Sequence, residues 1–171
     1  MKKLTSIFAA LFFAIIAVFA QESKSVEIDL VVGTVKSGLS KSIVWTTDSI
    51  QITQESRSLT GTQGAAGAVD ATDVSKPKLT DGQNFVFKTT SLAYPQIINI
   101  DITYEGTNYG GLVVGTTRSG GKVVADPKCV TTPSTAENGT HKIKIIGGAQ
   151  QLYVQNYNAT PLHVTKIVVT C

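Results

Sequence analysis

The sequence predicts an all-β protein, an antiparallel β-sandwich of two sheets with about nine strands. Three observations carry that expectation. Gly, Thr, Val and Ile dominate the composition, which favours strands and turns. Apolar and polar residues alternate with period two in many short stretches, the mark of a strand with one buried face. Beyond the N-terminal segment no window keeps an apolar 3.6-residue period long enough for a helix, so nothing is available to cover the second face of a parallel sheet.

The chain of 171 residues is 42% hydrophobic and 16% charged, below the roughly 25% charged of an average soluble domain. That length suits one domain with its own core and excludes a multidomain enzyme, a collagen or a coiled coil. Residues 1–20 read as a signal peptide: Met1-Lys2-Lys3 is a short cationic start, Ile7 to Phe19 is almost unbroken apolar, and Ala20 precedes the polar Gln21-Glu22-Ser23-Lys24. The apolar run is shorter than the roughly 20 residues that span a bilayer. Cleavage after Ala20 leaves a single β-sandwich domain, residues 21–171, with thirteen basic against twelve acidic residues. A net charge of +1 gives no electrostatic footprint for nucleic acid or a membrane surface, so neither is expected as a partner, and no membrane span remains. The expected location is secreted, extracellular or at the cell surface.

The elements follow in order. Val26-Glu27-Ile28-Asp29-Leu30 alternates cleanly, then Ile43-Val44-Trp45 and Ile50-Gln51-Ile52-Thr53. Phe85-Val86-Phe87 precedes the clearest strand, Ile98-Asn99-Ile100-Asp101-Ile102-Thr103-Tyr104. Leu112-Val113-Val114, Lys122-Val123-Val124, His141-Lys142-Ile143-Lys144-Ile145, Leu152-Tyr153-Val154 and Val164 to Cys171 complete the set. Turns are expected at Asp81-Gly82, Glu105-Gly106, Ser119-Gly120-Gly121, Asn138-Gly139 and Gly147-Gly148. Residues 58–78, small and nearly featureless from Gly61 to Asp70, read as one long surface loop, either an insertion or a flank of a binding face.

Two cysteines, Cys129 and Cys171, form an even pair, which in an oxidising compartment predicts a disulfide. A Cys at the chain's end can also reach a neighbouring molecule. With no His cluster beside them they do not make a zinc site, and no metal centre is expected.

The search for catalytic chemistry is negative. His141 and His163 each sit in a strand pattern, and no Gly-x-Ser-x-Gly elbow occurs. The stretch Gly115 to Lys122 fails the phosphate-loop spacing, which needs Gly at Thr116 and a hydroxyl at Val123, and reads as a hairpin turn. No catalytic residue and no cofactor are expected. Glu27, Asp29, Asp48, Asp70, Asp73 and Asp81 offer oxygens for a structural calcium ion, a weak signal without EF-hand spacing beside the reading that they are solvated. The sequons at Asn138 and Asn158 lie in turns and read as turn chemistry. Trp45 reads as core.

Tyr104, Asn108, Tyr109, Arg118, Asn156 and Tyr157 fall at strand ends or turns. A sugar needs a flat aromatic face for its C–H groups and planar donors and acceptors for its hydroxyls, which this set supplies. These six are the candidate glycan contacts, set against the reading that they are ordinary strand-end residues.

Gln83-Asn84-Phe85-Val86-Phe87-Lys88, Gln150 to Tyr157 and Leu162-His163-Val164-Thr165-Lys166-Ile167-Val168-Val169-Thr170 resemble the mid-domain, penultimate and closing strands of galactose-binding-like jelly rolls. That fold is common among carbohydrate-binding modules of secreted bacterial polysaccharide enzymes. The resemblance covers about half the chain after residue 20 and implies a jelly-roll sandwich that binds glycans. The chain departs from it in showing no clear aromatic pair on one strand for a sugar to rest on, and no adjoining catalytic domain is expected.

The expected function is a secreted, non-enzymatic β-sandwich that binds a polysaccharide or glycan at the cell surface or in the extracellular matrix. The alternative is a structural or adhesive surface subunit that forms fibres, with itself as partner through sheet edges poorly guarded by Lys or Pro.

Overall fold

The structure is a computed structural model and describes residues 22–37, 41–56, 69–107 and 111–171. The predicted signal segment, residues 58–68 of the long loop, and the candidate contacts Asn108 and Tyr109 lie outside the described residues. Among the described residues fourteen strands form: β1 (Ser25–Glu27), β2 (Thr34–Lys36), β3 (Ser42–Thr46), β4 (Ile50–Glu55), β5 (Lys78–Leu79), β6 (Asn84–Thr89), β7 (Ile97–Glu105), β8 (Leu112–Gly115), β9 (Thr117–Ser119), β10 (Lys122–Val124), β11 (Cys129–Thr132), β12 (Thr140–Ala149), β13 (Gln151–Asn156) and β14 (Leu162–Thr170). Ten of them match the ten alternating stretches read from the sequence, and the other four, β2, β5, β9 and β11, are too short to show a period.

Every pairing is antiparallel. The first sheet runs β1-β14-β7-β12-β11, with β5 also on β14, and the second runs β2-β3-β4-β6-β13-β8. They pack face to face as a β-sandwich, as the alternation predicts. The inner face of the first carries Ile100, Ile102, Ile143 and Ile167, and that of the second Ile43, Ile52, Phe85, Phe87 and Val154. Trp45 is core, its ring 6.2 Å from that of Phe85, and its Nε1 donates to the Leu30 carbonyl at 2.9 Å. The predicted first strand stops at Glu27. Asp29 then caps a 3-10 turn, Leu30–Val32, accepting from the Val31 amide at 3.0 Å, and this turn lowers Leu30 into the core.

Gly147 and Gly148 are not a free turn. Both have positive φ inside β12, where the register with β7 slips between Lys144 and Ala149. The chain bends there and enters the second sheet through Gln150 alone. The described part of the long loop is also built in: Val69 is buried, Ala71 and Val74 pack on the core, and Asp70 and Asp73 hold local turns through Thr72 and Ser75.

Cys129 and Cys171 are both free, which corrects the predicted disulfide. Cys171 follows β14 and Cys129 lies on β11, with β7 and β12 between them. Three strand spacings put them about 14 Å apart, twice the roughly 7 Å that a disulfide tolerates between Cα atoms.

Candidate functional site

Strands β14, β7, β12 and β11 project their polar alternates from the outer face of the first sheet. Register places Asp101 between Val168 and Lys142, with Thr132 beyond, and Asn99 between Thr170 and Lys144, with Val130 beyond. These residues line an open groove of about 430 Å³. Among the described residues no hydrogen bond or ion pair engages the side chains of Asn99, Asp101, Lys142 or Lys144. The groove therefore offers amide, carboxylate, ammonium and hydroxyl groups to a polar ligand. It has one carboxylate, whereas glycoside hydrolysis uses a pair.

The outer face of the second sheet is covered in part, around Glu55, Asn84, Tyr153 and Gln155, while Thr46 and Lys88 on the same face are exposed. The two-stranded ribbon β9–β10 turns at Gly120-Gly121, whose φ values of 56° and 75° suit a two-residue primed turn, and this is the hairpin the sequence predicts. It folds back over β13 and β6 to reach β4. The Arg118 guanidinium is ion-paired with Glu55 and lies 4.3 Å from the centre of the Tyr153 ring. The Val123 amide donates to Gln155 Oε1 at 2.8 Å, and Gln155 Nε2 donates to the Gly82 carbonyl at 2.8 Å. Asn84 Nδ2 donates to Glu55 Oε1 at 3.0 Å. Asn84 and Gln155 are fully buried although their register with Glu55 puts them on the face turned away from the core.

The predicted contacts do not converge into one surface. Tyr104 is 1% exposed and corrects its reading as a contact. It stacks on His141 with centroids 4.8 Å apart, and its hydroxyl reaches the Ala136 carbonyl at 2.8 Å. Asn156 is likewise buried and spent inside the fold, donating to the Leu79 and Thr160 carbonyls and accepting from the Asn158 amide. Arg118 serves the ribbon. Tyr157, 38% exposed, is the one described member free to touch a surface ligand, beside Gly111.

His141 is buried, and burial holds its pKa below the usual histidine value. Its Nδ1 accepts from the Ser134 amide at 3.3 Å, while Nε2 has no partner. His163 is exposed on β14. Among the described residues no three His, Cys, Asp or Glu side chains gather to hold a metal ion, so the acids weighed for calcium stand apart. Asp70 and Asp73 have carboxyls held below the usual range by hydrogen bonds from Thr72 and Ser75.

The sequence reading missed both outer faces. For the groove a signal existed: Asn99, Asp101, Lys142 and Lys144 are the polar partners in the two clearest alternating strands. For Glu55, Asn84, Tyr153 and Gln155 none existed, because strand order and register bring them together from distant parts of the chain and the ribbon then covers them. No family model, curated protein or solved structure matches the chain.

Proposed function

We propose that the chain is an exported, non-enzymatic glycan-binding protein of the cell surface or extracellular matrix, with the groove of the first sheet as its contact surface. The observation that carries this reading is the set of four polar side chains, Asn99, Asp101, Lys142 and Lys144, presented in an open groove without internal partners. Surface polar groups that serve the fold are usually bonded within it or scattered. Four unengaged groups in adjacent register match the hydroxyls of an extended sugar chain. Export rests on the N-terminal segment.

A glycan array with the folded chain tests the reading. One glycan class should be retained, and the double variant Asn99→Ala/Lys144→Ala should lose at least tenfold in affinity while unfolding as the parent does, since both positions face solvent. A folded protein that retains no glycan, or a double variant that binds unchanged, overturns it.

Assembly through sheet edges is the second reading, favoured by β11, whose Val130, Thr131 and Thr132 are all exposed and which contains no Lys or Pro. It requires concentration-dependent sedimentation. A monomer across the accessible range removes it.

A further inference from the structure

We propose that the β9–β10 ribbon is a lid over a second, latent binding surface on the outer face of the second sheet, that its occupant is a single neutral sugar ring, and that Arg118 is the latch. The surface is separate from the groove and stands whether or not the groove binds.

The first support is what the ribbon covers. A strap that only shields a sheet buries apolar side chains, and this one buries one, Val123. Beneath it lie two amides, Asn84 and Gln155, the Glu55 carboxylate and the Tyr153 ring. Asn84 Oδ1 is buried without a hydrogen-bond partner, an acceptor in the closed state with nothing to accept.

The second support is how the ribbon occupies the surface. The flat guanidinium lies on Tyr153 as the C–H face of a sugar ring would, and it donates to Glu55 as a sugar hydroxyl would. The Val123 amide fills the acceptor Gln155 Oε1. The lid thus supplies from within the chain the contacts that a ring-sized polyol would make, and the unused Asn84 oxygen marks a donor that the lid lacks. A neutral sugar brings that hydroxyl donor. An anion would face Glu55 and be repelled once Arg118 has left.

The third support is that the ribbon is fastened unevenly. Its strands pair with each other and with neither sheet, and an isolated two-stranded ribbon is marginal. Its base is pinned, with the Asp126 amide on the Val114 carbonyl at 3.0 Å and Thr116 Oγ1 on Asp126 Oδ2 at 3.1 Å. Its tip is held by Arg118 and by Gln155, which also accepts and donates to the ribbon backbone at Val123 and Gly121. Opening swings the tip about the base and leaves both sheets intact.

Hydrogen exchange and NMR titration on the full chain test this. In Arg118→Ala, and in Glu55→Gln, which keeps the shape of the site, the Val123 amide should exchange at least tenfold faster than in the parent, with the amides of β6 and β13 unchanged. Titration of Arg118→Ala with glucose, galactose, mannose and N-acetylglucosamine should give saturable shifts at Glu55, Asn84 and Gln155 for at least one sugar, lost when Tyr153→Ala is added. Unchanged Val123 exchange in both variants overturns the lid. Accelerated exchange with no sugar response, or shifts confined to Asn99 and Lys144, overturns the site. Failure of both variants to fold overturns the proposal too, because the ribbon would then be part of the fold's foundation.

Discussion

The guanidinium of Arg118, on a ribbon that belongs to neither sheet, is ion-paired with the carboxylate of Glu55 on β4, 63 residues earlier in the chain. Both side chains are about one-fifth exposed, so the pair is neither a solvated surface contact nor a dry interior one.

That intermediate position sets the size of the coupling. A double-mutant cycle of Arg118→Ala and Glu55→Ala, read by denaturant unfolding, should give a coupling of about 1 kcal/mol, the upper end for partly screened pairs. Coupling below about 0.3 kcal/mol would place the pair among contacts that hold nothing.

His141 makes stability depend on pH in a defined direction. Burial lowers its folded pKa beneath the ordinary 6.5, so the unfolded chain takes up the proton first. The unfolding free energy should be flat with respect to this group above about pH 7.5 and fall as pH drops below 6.5 towards the folded value, by at most about 1.4 kcal/mol per pH unit. His141→Gln should flatten that window. A slope that survives in the variant assigns the effect elsewhere.

Two glycines are held by close neighbours. A Cβ on Gly33 would stand 2.5 Å from Trp45 Nε1, and one on Gly115 would overlap the Val124 carbonyl oxygen. Gly33→Ala and Gly115→Ala should each cost about 1–3 kcal/mol in chemical denaturation. Gly115→Ala should in addition loosen the ribbon, read as faster exchange of the Val123 amide. An unchanged midpoint for either would show that its neighbour gives way freely.

The cysteines should behave as two free thiols, Cys171 buried and Cys129 half-buried. Burial raises both, Cys129 with help from Asp126 and Cys171 against an opposing contribution from Lys24. Alkylation at pH 8 should be slow in the folded protein and reach two thiols per chain after unfolding without reductant, and a reducing agent should leave Tm unchanged. A mass showing an intrachain bridge would contradict the strand order of the first sheet.

The sandwich was legible because burial on one face imposes period two, and β4, β7, β12 and β14 all show it. The same parity was enough to place two misread residues. Tyr104 shares its face with Ile100 and Ile102, and Asn156 shares its face with Leu152 and Val154, so both point inward. Their polar groups drew attention to the strand ends, although a buried Tyr or Asn needs only a partner, and each has one. The disulfide was illegible for a different reason. Cysteine parity counts thiols, while pairing depends on strand order, and the order of the first sheet sets two strands between them. The ribbon's docking depends on contacts from β4 to β10 and leaves no local period to read.

Strand β14 lies inside the first sheet, with β7 on one side and both β1 and β5 on the other. Lys24 and Cys171 exchange backbone hydrogen bonds of 2.8 and 2.9 Å. The earliest strand therefore waits for the latest. While a ribosome is still making residues 162–170, β1 and β5 have no neighbour to pair with and the sheet cannot close. A timetable is written into the strand order of the first sheet: β7, β12 and β11 can pair with one another beforehand, while β1 and β5 are left as loose ends until residues 162–170 reach them.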